Sequence, residues 1–155
     1  MAGKYRMGVG MVLVNQANQV FVAQRIDNPG PAWQMPQGGL DQGEEPLAGV
    51  LRELEEETSI PQSAIEIVAE SQGWLTYDFP EDLAKKLWGG GYKGQKQKWF
   101  LVRFTGHESQ INLETAEPEF SDWKWVSFED TQDLIVQWKR PLYALIYQEF
   151  KDLVQ

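Results

Sequence analysis

Apolar residues recur along the chain at two spacings, and the change of spacing marks the elements. Val9 to Val14 and Val20 to Ala23 are short apolar runs joined by Asn15-Gln16-Ala17-Asn18, which predicts a hairpin. Asp27-Asn28-Pro29-Gly30-Pro31 is a loop by its turn chemistry. Trp33 to Met35 predicts a short strand leading into the glycine turn at Gly38-Gly39. Pro46 suits the first turn of a helix. Leu47, Val50, Leu51 and Leu54 then form an apolar face at helical spacing, and Pro61 ends that helix. Ile65 to Ala69 and Trp74 to Phe79 read as strands. Pro80-Glu81-Asp82-Leu83 opens a short helix that ends at Gly89-Gly90-Gly91. Lys98 to Phe104 is a strongly apolar strand and Trp123 to Val126 another. From Pro141 to Val154, Leu142, Leu145, Ile146, Phe150 and Leu153 predict an amphipathic closing helix. Strands interleaved with about three helices predict an α/β sandwich, a sheet covered on two faces.

The length of 155 residues fits one domain spanning 1–155, large enough for a real core. The chain has no cysteine, which excludes disulfides and thiolate chemistry. The apolar run Met7 to Val14 is too short to span a bilayer. Met1-Ala-Gly-Lys-Tyr-Arg lacks the layout of a signal peptide. The expectation is a soluble cytoplasmic protein with no membrane partner.

The net charge of −9 argues against tracking along a DNA duplex, since a polyanion wants a basic surface. The charge is unevenly spread, however. Asp41, Glu44, Glu45, Glu53, Glu55, Glu56 and Glu57 crowd into one segment, while Lys93, Lys96 and Lys98 cluster in another and Lys139-Arg140 in a third. A phosphate terminus remains an acceptable ligand.

The acidic segment carries the chemistry. Glu53, Glu56 and Glu57 fall at i, i+3 and i+4, so a helix brings them to one side. A solvated acidic face is the ordinary reading of such a run. Three features oppose it. The carboxylates sit near the helix C-terminus, where the dipole disfavours negative charge. Gly49 lies one turn before Glu53, in a helix interior where glycine is costly, so a close approach is expected there. A glycine turn directly precedes the helix and lets the chain fold back beside the carboxylates. Arg52 can hold Glu56 as an i, i+4 pair. A hard divalent cation is the natural neutraliser of such carboxylates.

The run Gly38, Glu44, Arg52, Glu53, Leu54, Glu56, Glu57, Ser59, Ile60 resembles the Nudix box, with one departure. Ser59 stands where the family usually has glycine. That residue closes the helix in a left-handed turn, which serine adopts at a cost of about 1 kcal/mol. The resemblance implies an α/β/α sandwich with a mixed sheet that hydrolyses phosphoric anhydride bonds. It implies that Glu53, Glu56 and Glu57, with Gly38 and Glu119, hold Mg²⁺ or Mn²⁺, that Arg52 orients Glu56, and that Glu44 supports the loop. Glu119 or Glu53 would be the general base.

Segments outside the box narrow the substrate. Tyr5-Arg6, Val9-Gly10, Ala32-Trp33-Gln34-Met35-Pro36-Gln37-Gly38-Gly39 and Gly94-Gln95-Lys96-Gln97-Lys98-Trp99-Phe100 are similar to segments of the bacterial RNA pyrophosphohydrolases and the related dinucleoside polyphosphate hydrolases. Pro118-Glu119-Phe120, Trp123-Lys124-Trp125-Val126 and Lys139-Arg140 fit the same group. The resemblance implies that Arg6, Lys96, Lys98 and Lys139 meet phosphate, that Gln37 donates to phosphate or bound water, and that Arg25 and Trp138 hold the first base. Tyr77 stands where the dinucleoside hydrolases carry tyrosine. The implied activity removes pyrophosphate from the 5′-triphosphate end of RNA and leaves a 5′-monophosphate, a step in bacterial mRNA decay. The alternatives are hydrolysis of nucleoside polyphosphates such as diadenosine tetraphosphate, and a non-catalytic reader of nucleotides or RNA ends. No motif for a protein activator is found. His107, the only histidine, reads as a surface loop residue.

Overall fold

The computed structural model describes residues 4–27, 32–86 and 91–154. Two long strands form its spine. β1 (Lys4–Val14) and β6 (Tyr92–Phe104) run parallel, from Lys4 opposite Tyr92 to Val14 opposite Arg103. The Asn15 carboxamide accepts from the backbone N–H groups of Ala17 and Gln19, and Asn18 takes a positive φ. That turn chemistry reverses the chain into β2 (Val20–Arg25), completing the expected hairpin. β7 (Phe120–Val126) lies antiparallel beyond β2.

The long strands have two halves with different neighbours. The near half of β1 pairs with β3 (Gln37–Gly39) and the far end with β2. The near half of β6 pairs with β5 (Leu75–Asp78) and the far half with β4 (Ile65–Glu70). The result is a mixed seven-stranded sheet that splays at its near end.

Strand alternation sends successive side chains to opposite faces, and here both faces are dry. Val12, Val22, Trp99 and Leu101 meet Leu142, Ile146 and Phe150 of α4 (Arg140–Phe150). Met11, Phe21, Phe100 and Val102 meet Val50 and Leu54 of α1 (Pro46–Thr58). Two cores around one sheet make the expected α/β/α sandwich. The remaining α-helices, α2 (Glu81–Lys86) and α3 (Thr131–Leu134), are short. Among the described residues no helix is long and apolar enough to cross a membrane.

Several boundaries differ from expectation. β1 and β6 begin at Lys4 and Tyr92, well before the apolar runs at Val9 and Lys98. The short strand falls on Gln37–Gly39, while Gln34 makes only an isolated bridge to Ala23. Leu47, Leu145 and Leu153 are exposed rather than core-facing. α1 stops at Thr58, before Pro61, because Ser59 turns left-handed with φ 69° and its N–H bonds the Glu55 carbonyl. The Ser59 hydroxyl donates to the Asn112 carbonyl at 2.9 Å, which offsets part of the turn's cost. The expected loop at Asn28–Pro31 and the helix end at Gly89-Gly90 lie outside the described residues.

Candidate active site

The glycine turn and α1 are tied together by one guanidinium. Arg52 Nε and Nη2 donate to both oxygens of Glu44 at 2.8 Å, and Nη2 also donates to the Gly39 carbonyl at 3.0 Å. Nη1 donates to Glu53 at 3.0 Å and to Glu56 at 3.1 Å. Glu44 itself accepts from the Asp41 backbone N–H at 3.0 Å. Bidentate pairing with Arg52 holds the Glu44 carboxyl well down, at about 2. Arg52 thus orients Glu56, and Glu44 braces the loop.

Glycine is required where the turn meets the helix. A Cβ on Gly38 would collide with the Glu53 carboxylate, so β3 and α1 touch there without an intervening side chain. The costly Gly49 has a related cause: the Leu40 side chain lies against it, where a Cβ would clash.

One turn further on, the environment reverses. Glu57 is 2 % exposed, and neither carboxylate oxygen has a hydrogen-bond donor. The like charges of Glu119 and Glu53 bear on it, and Arg25 acts on it with the opposite sign. Burial first, then the two like charges, push the Glu57 carboxyl well above the usual range. Burial also raises Glu53, with Glu56 and Glu119 adding and Arg52 opposing. A buried carboxylate with no hydrogen-bond donor and two carboxylate neighbours is costly unless a cation joins it. The donor set is therefore of the kind Mg²⁺ or Mn²⁺ takes. Among the described residues no three His, Cys, Asp or Glu side chains converge closely enough to hold a metal ion by themselves. Mg²⁺ takes one or two carboxylates and completes its shell with water and substrate phosphate.

Glu53, Glu57 and Glu119 line one cleft of about 770 Å³, together with Gly38, Arg6, Arg25, Gln37, Tyr77, Trp138 and Lys139. Arg25 is held as a flat plate by two 2.8 Å bonds to Asp27. Lys139 is buried, with its ammonium 5.2 Å from the Tyr77 ring and 5.4 Å from the Trp138 ring. Burial, with Arg25 adding, pushes it down to about 8. Trp138 packs on Tyr77 and Phe79 with centroids 5.8 and 6.1 Å apart.

Four sequence-selected residues stand apart from the cleft: Arg52, Glu56, Lys96 and Lys98. Glu56 lies on the Arg52 side of the helix, its side chain 58 % exposed. Lys98 bonds Glu70 and the Ser71 carbonyl, both at 2.9 Å, and Lys96 lies over Trp74. Alternation in β6 explains the two lysines: it turns Gln95 and Gln97 to one side of the sheet and Lys96 and Lys98 to the other. Conversely, Asp27, Gln34, Gln95, Phe79, Leu83 and Val136 line the cleft and were missed. The alternating amides of Gln95 and Gln97 were the readable signal for Gln95. The others gave none.

A model of the NUDIX domain matches residues 4–146. A protein of Roseobacter denitrificans named RNA pyrophosphohydrolase is 51% identical over 95% of this chain and 92% of its own length. One of the same name from Zymomonas mobilis is 52% identical, covering 95% of each. A crystal structure of a C. elegans Ap4A hydrolase binary complex shares the fold, with a TM-score of 0.68 at 20% identity over 95% of this chain and 98% of that one.

Proposed function

The chain belongs to the Nudix family, and on that premise we propose that it removes pyrophosphate from the 5′-triphosphate end of RNA, leaving a 5′-monophosphate. It is a hydrolase of phosphoric anhydride bonds. The observation that carries the chemistry is the buried Glu57 carboxylate, unpaired within a cleft otherwise furnished with cationic and amide donors. The choice of RNA rests on near-full-length kinship to proteins named for that activity.

In this reading Glu53, Glu57 and Glu119 hold Mg²⁺ or Mn²⁺, with Gly38 and Glu56 assigned to the same set on the motif alone. When bound, such a cation supplies positive charge to phosphoryl oxygens and acidifies water. Arg6 and Lys139 attract the polyphosphate, and Gln37 and Gln95 donate hydrogen bonds to it. Arg25, its planar guanidinium held by Asp27, and Trp138 flank a flat base, a contact that contributes about 1–3 kcal/mol per base. Glu53 or Glu119 takes the proton of the attacking water. Lys96 and Lys98 act at most on phosphates outside the cleft. The whole chain, 1–155, works as one domain in the cytoplasm.

The test sets 5′-triphosphorylated RNA with unpaired 5′ nucleotides against diadenosine tetraphosphate, with Mg²⁺ and at equal low concentration. Higher kcat/KM on RNA, with a 5′-monophosphate product, is expected. Preference for the dinucleotide would make this a nucleotide-pool enzyme. No turnover of either would leave a binding module.

A further inference from the structure

A chain of hydrogen bonds runs from the core to the cleft floor. Trp99 is fully buried and its indole N–H donates to Gln97 Oε1 at 2.9 Å. Gly10 makes room for it, since a Cβ there would run into the indole ring. Gln97 is also fully buried, and its Nε2 lies 2.8 Å from Gln95 Oε1 and 3.1 Å from Gln37 Oε1.

The order of donors along this chain has one solution. An indole nitrogen can only donate, so Gln97 must turn its oxygen to Trp99. Its NH₂ group then faces two glutamines and gives one hydrogen to each. Both must present their oxygens to it, which leaves their own NH₂ groups for other partners. Gln37 and Gln95 line the cleft.

We propose that Trp99 and Gln97 are positioning residues that fix the Gln37 and Gln95 amides with their N–H groups turned to the cleft, as neutral donors for polyphosphate oxygens. A polyphosphate end offers acceptors only, and a free glutamine could meet it with either atom. One indole hydrogen removes that choice for two side chains, so no reorientation is needed when substrate arrives. The proposal rests on the reading that this cleft takes the phosphate end of RNA.

The test compares Gln97→Glu with Gln97→Leu in the full chain. The introduced carboxylate still accepts from Trp99 but has no hydrogen to give. It compels Gln37 and Gln95 to turn their NH₂ groups inward and show oxygen to the phosphates. Leucine removes the restraint without reversing it. On 5′-triphosphorylated RNA, kcat/KM should fall about 10-fold for Gln97→Leu and about 100-fold for Gln97→Glu. A merely structural role reverses the order, because the isosteric carboxylate keeps the shape and the Trp99 bond; that order would overturn the proposal. Should Gln97→Glu fail to fold, Trp99→Phe deletes the indole N–H together with part of the ring, and unchanged kcat/KM there would overturn it equally. A second readout needs no turnover. Inorganic triphosphate with Mg²⁺ should shift the side-chain NH₂ resonances of Gln37 and Gln95 in the unaltered protein and not in Gln97→Glu. If RNA is not cleaved but these resonances shift, the functional reading fails and the amide polarity stands. If RNA is cleaved and they do not shift, the polarity proposal fails alone.

Discussion

One turn of α1 separates two carboxylate environments that behave in opposite ways. At Arg52, a single guanidinium serves Glu44, Glu53 and Glu56 within 3.1 Å, so each of these carboxylates has a donor although one positive charge meets three negative ones. At Glu57, five residues later, both oxygens are buried and without a donor. The first arrangement stabilises the fold as it stands. The second costs stability as it stands, which is the pattern expected of a group reserved for a ligand. Acidic residues that look alike along the sequence thus differ by their partners: Glu44 is met wholly by the chain, Glu53 shares Arg52 while lining the cleft, and Glu57 has no donor at all.

Substitutions at the two centres should separate these roles. The largest effect is expected from Glu57→Gln, which removes the unmet charge while keeping its shape. Turnover on triphosphorylated RNA should drop about 10³-fold, on the scale of losing a principal electrostatic group, with circular dichroism unchanged. Retained turnover would remove Glu57 from the cation site. Arg52→Ala should instead act on the fold. It strands the half-buried Glu44 and Glu53 without their cation and should cost about 2–3 kcal/mol in denaturant unfolding, less than a fully buried pair because Arg52 is partly exposed.

Acid titration sharpens the contrast, because the two carboxyls shift in opposite directions. Glu44 drops from 4.5 to about 2 on folding. Its contribution is present above pH 4.5 and is lost as pH falls towards 2. Glu57 is raised, so the folded protein holds a proton that the unfolded chain releases near 4.5. Its penalty is absent at lower pH and grows as pH rises from there. Without metal, melting temperature should peak in mild acid. Glu44→Gln should flatten the acid side of that peak, and Glu57→Gln the neutral side. The smallest effect is expected from Lys98→Met. The Lys98–Glu70 pair is a half-exposed ion pair away from the cleft, so kcat/KM should stay within about twofold and stability within about 1 kcal/mol. A tenfold loss of kcat/KM would return Lys98 to the phosphate site.

The readable parts of this molecule were those where one local rule acted alone. Pro46, the Val50 and Leu54 face and the box carboxylates predicted α1. The Asn15–Asn18 turn predicted the hairpin, and the family resemblance, through the box position that Ser59 occupies, implied the left-handed cap of α1. What escaped were strands whose residues face a polar cleft. Lys4 to Arg6 and Gly94 to Gln97 carry no apolar alternation, because their inner side chains floor a site instead of a core. Lys96 and Lys98 drew notice by charge, while the quieter Gln95 lines the cleft and Gln97 lies buried behind it. Gln34, Phe79 and Val136 reach the cleft only through pairings distant in sequence, and neither periodicity nor spacing carries that information.

The most direct test is thermal unfolding at neutral pH with and without Mg²⁺, for the unaltered protein beside Glu57→Gln. The account predicts that Mg²⁺ raises the Tm of the unaltered protein by several degrees, about the shift expected for binding at 100 times Kd. It predicts that Glu57→Gln melts higher than the unaltered protein without metal and gains little when Mg²⁺ is added. Equal Mg²⁺ stabilisation of both proteins would contradict it and place the cation elsewhere.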